Sequence, residues 1–302
     1  MQKYLPNLFL IGVPKAGTSA IVDGLGQHPQ IFVPSKKEPR FFDARTFFDF
    51  PDDFLVKTLN EYLSLYNKED AKSCKYLVDG SVFNIYNLES IKDILALSPN
   101  SKFMVVLRDP CSATKSMFSQ RMKYTLSYMR EVSEDFVECW NLLPERREGR
   151  GFPKGCRNRI LFMYDKLYSY ERFLPAIINL IGKDNISISS YESFKNDPYC
   201  FYSSLFRFLD VEPEFRPKNR IVNDSFQVHP NLFERMCASF LFKIARKTHS
   251  FRETLGLTGK GEVIKKIISP KKMKPRVSDE IDEDIKVFFE ETYKYLDSLD
   301  VR

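Results

Sequence analysis

The string Gly12-Val13-Pro14-Lys15-Ala16-Gly17-Thr18-Ser19 holds the residues best suited to grip an anion. Two glycines five apart let a backbone come close to a phosphate. A helix opening at Thr18 would point the N–H groups of Ala16, Gly17, Thr18 and Ser19 at it. The hydroxyls of Thr18 and Ser19 add donors, and Lys15 would reach past the loop toward the reacting end of the ligand. A phosphate loop of the form G-x-x-x-x-G-K-[ST] has its lysine where this chain has Thr18; here the lysine has moved to position 15. Two further strings carry matching chemistry. Lys36-Lys37-Glu38-Pro39-Arg40-Phe41-Phe42-Asp43 sets a carboxylate, a candidate general base, among three cations. Arg108-Asp109-Pro110, with Ser116 eight residues after Arg108, offers a planar fork that suits an oxyanion, and a hydroxyl beyond it.

These strings need a scaffold. Leu8 to Val13 is short, apolar and ended by Pro14, which predicts a buried strand. Thr18 to Leu25 predicts a helix stopped by Gly26 and Pro29. Lys75–Asp79 and Phe103–Leu107 predict two more strands, the latter followed by a helix from about Ser112 to Tyr128. Met163–Ile181 has helical spacing, Ile186–Ser190 alternates as a strand, and Pro198–Leu209 is aromatic and helical. Ser278–Leu299 predicts an acidic amphipathic helix. Strands alternating with helices predict an α/β fold, with a P-loop-like parallel central sheet flanked by helices on both faces. Ligands of such sheets bind at the carboxyl ends of the strands. That rule gathers 14–19, 79–81 and 108–110 into one neighbourhood.

A chain of 302 residues with 43 % hydrophobic and 28 % charged residues reads as an ordinary globular protein, long enough for a core without a disulfide or metal staple. The expected organisation is a single domain over 1–302, with a basic, variable late region at about 216–276 that serves as a lid or acceptor-binding part. Residues 216–276 hold fifteen Lys and Arg against four Asp and Glu, although the whole chain is only +6. This suits an anion-binding lobe or a solvated basic face. The apolar stripe through 232–244 suits packing, an acceptor cap or a surface contact. Six scattered cysteines, at 74, 111, 139, 156, 200 and 237, form no CxxC or Cys/His cluster, so they are expected as buried free thiols and no metal site is expected. No apolar run approaches the ~20 residues of a membrane span, and the first thirteen residues lack the shape of a secretory leader. The chain is therefore expected to be complete and cytoplasmic, without a stable membrane anchor.

Taken in order, the strings resemble the sulfotransferases that use 3′-phosphoadenosine-5′-phosphosulfate (PAPS), in the branch of the heparan sulfate sulfotransferases and their bacterial relatives. Pro14–Ser19 is similar to that family's 5′-phosphosulfate loop, and His28-Pro29 to its turn after the first helix. Glu38 to Asp43 resembles its acidic-aromatic segment, Arg108 and Ser116 its 3′-phosphate site, and Tyr191-Glu192 with Asp197-Pro198 its late strand and turn. The resemblance implies transfer of a sulfuryl group from PAPS to a hydroxyl or amine, leaving PAP. It implies Glu38 as base and Lys15 at the leaving phosphate. It implies Lys15, Ala16, Gly17, Thr18, Ser19, Arg108, Ser116 and a late Lys260 as donor-binding residues. Arg40, Phe41 and Asp43 would face the acceptor. The heparan 3-O-sulfotransferases carry His two residues after the glutamate, where this chain has Arg40, and arginine cannot act as a base. Arg40 would instead hold an anionic acceptor or the sulfuryl oxygens.

A small soluble acceptor is the leading partner, with no nucleic acid; oligomeric state, acceptor identity and any part for His229 or His249 stay open. His28 reads as structural. Two other readings stand beside this one. A Mg-dependent P-loop kinase or NTPase would use Ser19 and Asp79 around the metal. A non-catalytic anion- or glycan-binding module would use the same loop without turnover.

Overall fold

The computed structural model describes residues 4–43, 56–124, 127–218 and 280–299. Five strands form one sheet: β1 (Leu8–Gly12), β2 (Ile31–Phe32), β3 (Tyr76–Asp79), β4 (Lys102–Leu107) and β5 (Ile186–Ser190). Their order is β2-β3-β1-β4-β5, and every pairing is parallel. β1, β3 and nearly all of β4 are buried, which is why they read as unbroken apolar runs. β5 lies at the edge, and its Ile-Ser-Ile-Ser-Ser alternation matches that half-buried place.

From β1 the chain goes to the edge strand β2 and returns to β3 between them, then crosses to β4 and β5 on the other side. Right-handed crossovers running in opposite directions place helices on both faces. They also make the carboxyl ends of β1 and β4 a switch point, where the following loops diverge and leave a crevice. Register sets those loops level: Gly12 pairs with Val106, and Val13 N donates to Val106 O at 3.1 Å.

The described residues fall into two compact units, one made of those within 4–114, 163–218 and 280–299, the other of those within 115–162. The first holds the sheet with α1 (Thr18–Leu25), α2 (Leu59–Ser64), α3 (Leu88–Leu97) and the start of α4 (Pro110–Met122). It also holds α7 (Tyr164–Tyr168), α8 (Leu174–Ile181), α9 (Tyr191–Asn196), α10 (Pro198–Phe208), α11 (Glu280–Phe288) and α12 (Glu290–Ser298). The second holds the rest of α4 with α5 (Phe136–Asn141) and α6 (Leu143–Arg147). Its centre is the Glu131–Arg146 ion pair, joined at 2.7 and 3.0 Å with both side chains fully buried.

Several element boundaries differ from expectation. The Met163–Ile181 helix is interrupted at Ser169–Phe173 by a 3₁₀ turn, and Pro175 then opens α8 within its first turn. The acidic C-terminal helix is two helices parted at Phe289. The helix after β4 starts earlier, at Pro110, and ends at Met122, before Tyr128. Tyr191-Glu192 follows the strand, as expected, and opens α9, because Ser190 caps that helix by accepting from Ser193 N. The sequence reading missed β2 and the helices α2, α3, α5 and α6, although the caps of two were legible: Thr58 and Glu61 form a capping box for α2, and Asn87 accepts from Glu89 N to start α3. The five described cysteines are free, but only Cys111 and Cys139 are buried, and Cys200 is exposed.

Candidate active site

The site is built where β1, β3 and β4 end. Gly17 caps α1 from the left-handed region, at φ +70°, and a Cβ there would meet the Tyr191 ring at 2.7 Å. Lys15 also has φ +70°, a conformation that costs a non-glycine residue about 1–3 kcal/mol and recurs where a loop serves a ligand. Among the described residues, the backbone N–H groups of Ala16, Gly17, Thr18 and Ser19 donate to no protein acceptor. Four such donors at a helix start are the arrangement that binds phosphate.

Lys37 enters this loop from the segment after β2. Its Nζ donates to Thr18 Oγ1 at 3.2 Å, Ser19 Oγ at 3.3 Å and Glu38 Oε1 at 3.3 Å. Burial holds its pKa below the ordinary lysine value, against the pull of Glu38. Glu38 Oε2 accepts from Arg40 Nη2 at 2.8 Å, so the carboxylate sits between two cations at the edge of the loop, about a quarter exposed. Arg40 adopts φ +57°, donates its N–H to Ser81 Oγ at 2.9 Å and lies over the Phe83 ring. The stretch 36–40 is thereby tied to the end of β3.

Phe41 and Asp43 point away from solvent. The Phe41 ring stacks on Tyr62 at 4.8 Å and meets Phe42 edge-on, all three buried. Asp43 is 1 % exposed, and neither of its carboxylate oxygens has a partner on another described residue. Burial, followed by the opposing pull of Arg40 and the repulsion of Asp79 and Glu38, leaves its pKa raised to about 7. Asp79 is also buried, but it accepts from Tyr62 Oη at 2.6 Å and Ser81 N at 2.8 Å. Both of its oxygens are engaged by the fold, which makes it a poor magnesium ligand.

Arg108 closes the other side. Its Nη1 donates to Lys15 O at 2.7 Å, its guanidinium stacks on Tyr191 at 4.6 Å, and its buried Nε has no acceptor among the described residues. A buried guanidinium N–H without an acceptor is rare in a finished fold and marks a place for an anion. The residues around it hold it still. Tyr170 Oη donates to Arg108 O at 2.6 Å and Tyr168 Oη to Pro14 O at 3.3 Å. Asp109 does not pair with Arg108: it accepts from Ser112 N at 2.7 Å, starting α4, and from Tyr293 Oη at 2.7 Å.

The structure thus brings together Lys15, Ala16, Gly17, Thr18, Ser19, Glu38, Arg40 and Arg108, which span nearly a hundred residues of sequence. Ser116 lies on α4 within the second unit. Lys260, His229, His249 and most of 216–276 lie outside the described residues. His28 is structural as expected: Nδ1 accepts from Gln30 N, Nε2 faces Glu212 O, and the ring packs on Phe206 and Phe215. Sequence reasoning missed the reach of Lys37, the contacts of Tyr170 and Tyr191 with Arg108, and the bond from Tyr293 to Asp109. The only sequence signal for Lys37 was its place beside Glu38.

Residues 6–150 match the sequence profile of the sulfotransferase family. The membrane-associated sulfotransferase kil1 of Dictyostelium discoideum is 26 % identical over 145 residues, 44 % of this chain and 29 % of that protein. Human heparan sulfate glucosamine 3-O-sulfotransferase 3B1 is 30 % identical over 125 residues, 40 % of this chain and 28 % of that protein. The chain therefore spans less than a third of the length of these relatives. A sulfotransferase from Alicyclobacillus acidocaldarius shares the fold, with a TM-score of 0.61 at 24 % identity, covering 81 % of this chain and 94 % of that one. No helix among the described residues is long and apolar enough to cross a membrane.

Proposed function

We propose, from the match of residues 6–150 to the sulfotransferase family, an enzyme that moves a sulfuryl group from PAPS to a hydroxyl or amine of a small soluble acceptor in the cytoplasm. The observation that carries this reading is the bridge across the crevice. Glu38 is linked through Lys37 to the hydroxyls of the phosphate loop, and that loop is linked through Lys15 O to Arg108. A base, an anion-binding loop and a second anion-binding arginine thus share one site.

PAPS supplies the sulfuryl group, already activated by its bond to phosphate. The chain's residues do the rest. The free N–H groups of 16–19 and the Thr18 and Ser19 hydroxyls bind the 5′-phosphate end. Arg108, whose Nε has no acceptor among the described residues, binds the 3′-phosphate, and Ser116 and Lys260 are the other donor-binding residues of this reading. Lys15 stabilises the charge that develops on the departing phosphate, an effect that acts on the transition state alone. Glu38 takes the proton from the acceptor, at a typical contribution of ~10²–10⁴-fold. Arg40, tied to Glu38, faces an anionic group of the acceptor, while Phe41 and Asp43 back that side from beneath. Residues 1–302 act as one transferase domain in this reading, with no nucleic acid and no metal involved.

The kinase alternative is weakened by Asp79, whose oxygens are held by Tyr62 and Ser81. The test is a melting curve with PAP and, separately, with Mg-ATP, followed by an acceptor screen with PAPS. A ligand at 100 times its Kd adds about 2.7 kcal/mol of apparent stability. A shift with PAP and turnover with PAPS support the reading, whereas a shift with Mg-ATP alone overturns it. PAP binding with no transfer to any acceptor points to the binding-module alternative.

A further inference from the structure

Thr18 stands where a phosphate loop of the familiar form carries lysine. An ammonium lies at that place nevertheless, because Lys37 Nζ is 3.2 Å from Thr18 Oγ1 and 3.3 Å from Ser19 Oγ. We propose that Lys37 is a donor-binding residue whose ammonium restores, at the 5′-phosphate, the charge missing from position 18, and links that phosphate to Glu38. The inference rests on the PAPS reading above.

Three observations carry it. An ammonium has three donors, and Lys37 directs them at Thr18, Ser19 and Glu38, each at 3.2–3.3 Å. Charge-assisted bonds ordinarily close to about 2.7–2.9 Å, as Arg40 does on Glu38 at 2.8 Å. The Lys37 bonds are long and two of their acceptors are neutral, so a phosphate oxygen is a better partner than either hydroxyl. The two hydroxyls also accept from Lys37, which leaves their own protons to donate to a ligand.

The third observation is how the lysine is held. Gly80, at the end of β3, donates its N–H to Lys37 O at 3.1 Å. A Cβ at Gly80 would stand 3.0 Å from that oxygen and 3.3 Å from Lys37 Cε. The missing side chain lets the lysine lie across the strand end with its head in the loop. Burial disfavours the ammonium there even with Glu38 beside it, and an anion against Lys37 relieves that penalty.

The experiment measures binding of PAP and of adenosine 3′-monophosphate, which lacks the 5′-phosphate, to the full chain. The variants are Lys37→Gln, Lys37→Ala and the charge-keeping Lys37→Arg, each with a melting curve to confirm folding. The expected result is a PAP affinity lowered about ten- to a hundredfold in the Gln and Ala variants and largely kept in Arg. Adenosine 3′-monophosphate should bind all forms alike. Unchanged PAP affinity in folded Lys37→Gln overturns the inference and leaves the donor reading standing. Equal losses for both nucleotides overturn it too, since Lys37 would then only hold the loop's shape. A wild type that binds no PAP overturns the donor reading itself.

Discussion

Glu38 and Arg108 occupy one crevice but serve different steps, so their variants should separate. Arg108→Ala removes a guanidinium with an unmet buried N–H and also frees Lys15 O. It should weaken PAP binding by about ten- to a hundredfold, and Lys15→Ala should weaken it as well. Glu38→Gln keeps the shape and removes the base, so calorimetry should show PAP affinity within a few-fold of wild type while kcat falls by ~10²–10⁴. A fully active Glu38→Gln would place the base elsewhere, with His229 next to test. Asp43 gives a pH signature. Its folded-state pKa, about 7, lies above its ordinary 3.8, so the folded form binds the extra proton. Stability should therefore fall as pH rises from about 4 to about 7, and stay low above. Asp43→Asn should be more stable than wild type at pH 8, by roughly 1–4 kcal/mol, and lose that advantage near pH 4. A constant difference across pH would remove Asp43 from this account.

At the scale of elements, the site depends on how α1 starts and how α12 docks. Gly17→Ala forces a Cβ into left-handed backbone and into the Tyr191 ring that supports Arg108. It should cost about 1–3 kcal/mol in urea unfolding and weaken PAP binding at the same time. On the far side, Tyr293 Oη holds Asp109, which starts α4, and Thr292 Oγ1 holds Glu171 at 2.6 Å. Tyr293→Phe should lower stability by about 1 kcal/mol. Because Asp109 follows Arg108 directly, PAP affinity should drop with it while the pH profile of kcat stays unchanged. A variant with wild-type affinity would show that α12 contributes to the fold alone.

Across the whole molecule, each unit has its own point of failure. In the second unit, Arg146 also donates to Phe162 O and Gly151 O, so Glu131–Arg146 anchors three segments. Arg146→Met leaves Glu131 buried without its guanidinium partner and should cost about 3–5 kcal/mol, whereas adding Glu131→Leu should recover much of it. Melting curves of the single and double variants decide this, and equal damage in both would contradict it. In the sheet unit, burial lowers the pKa of His28 below its ordinary 6.5. The unfolded chain takes the proton first, so His28 contributes stability at neutral pH that is lost as pH falls below about 6.5.

Four of the five strands, the phosphate loop, the glutamate among cations and the strand-end arginine were legible in sequence, whereas the two-residue β2 and the strand order were not. Apolar runs mark a sheet buried on both faces, and glycine spacing marks a turn whatever surrounds it. The helix breaks at Ser169–Phe173 and Phe289 were not legible, since helical spacing continues through both while packing decides where the axis bends. Sequence also gave Phe41 and Asp43 no depth; both are buried because Tyr62 and the end of β3 pack over them. The local string thus determined which chemistries were on offer. Tertiary structure decided their partners: a flexible four-carbon lysine reaches whatever acceptor the fold brings near. Here parallel register set the ends of β1 and β4 level, with β3 ending opposite Phe9, and Lys37 met Thr18 instead of solvent.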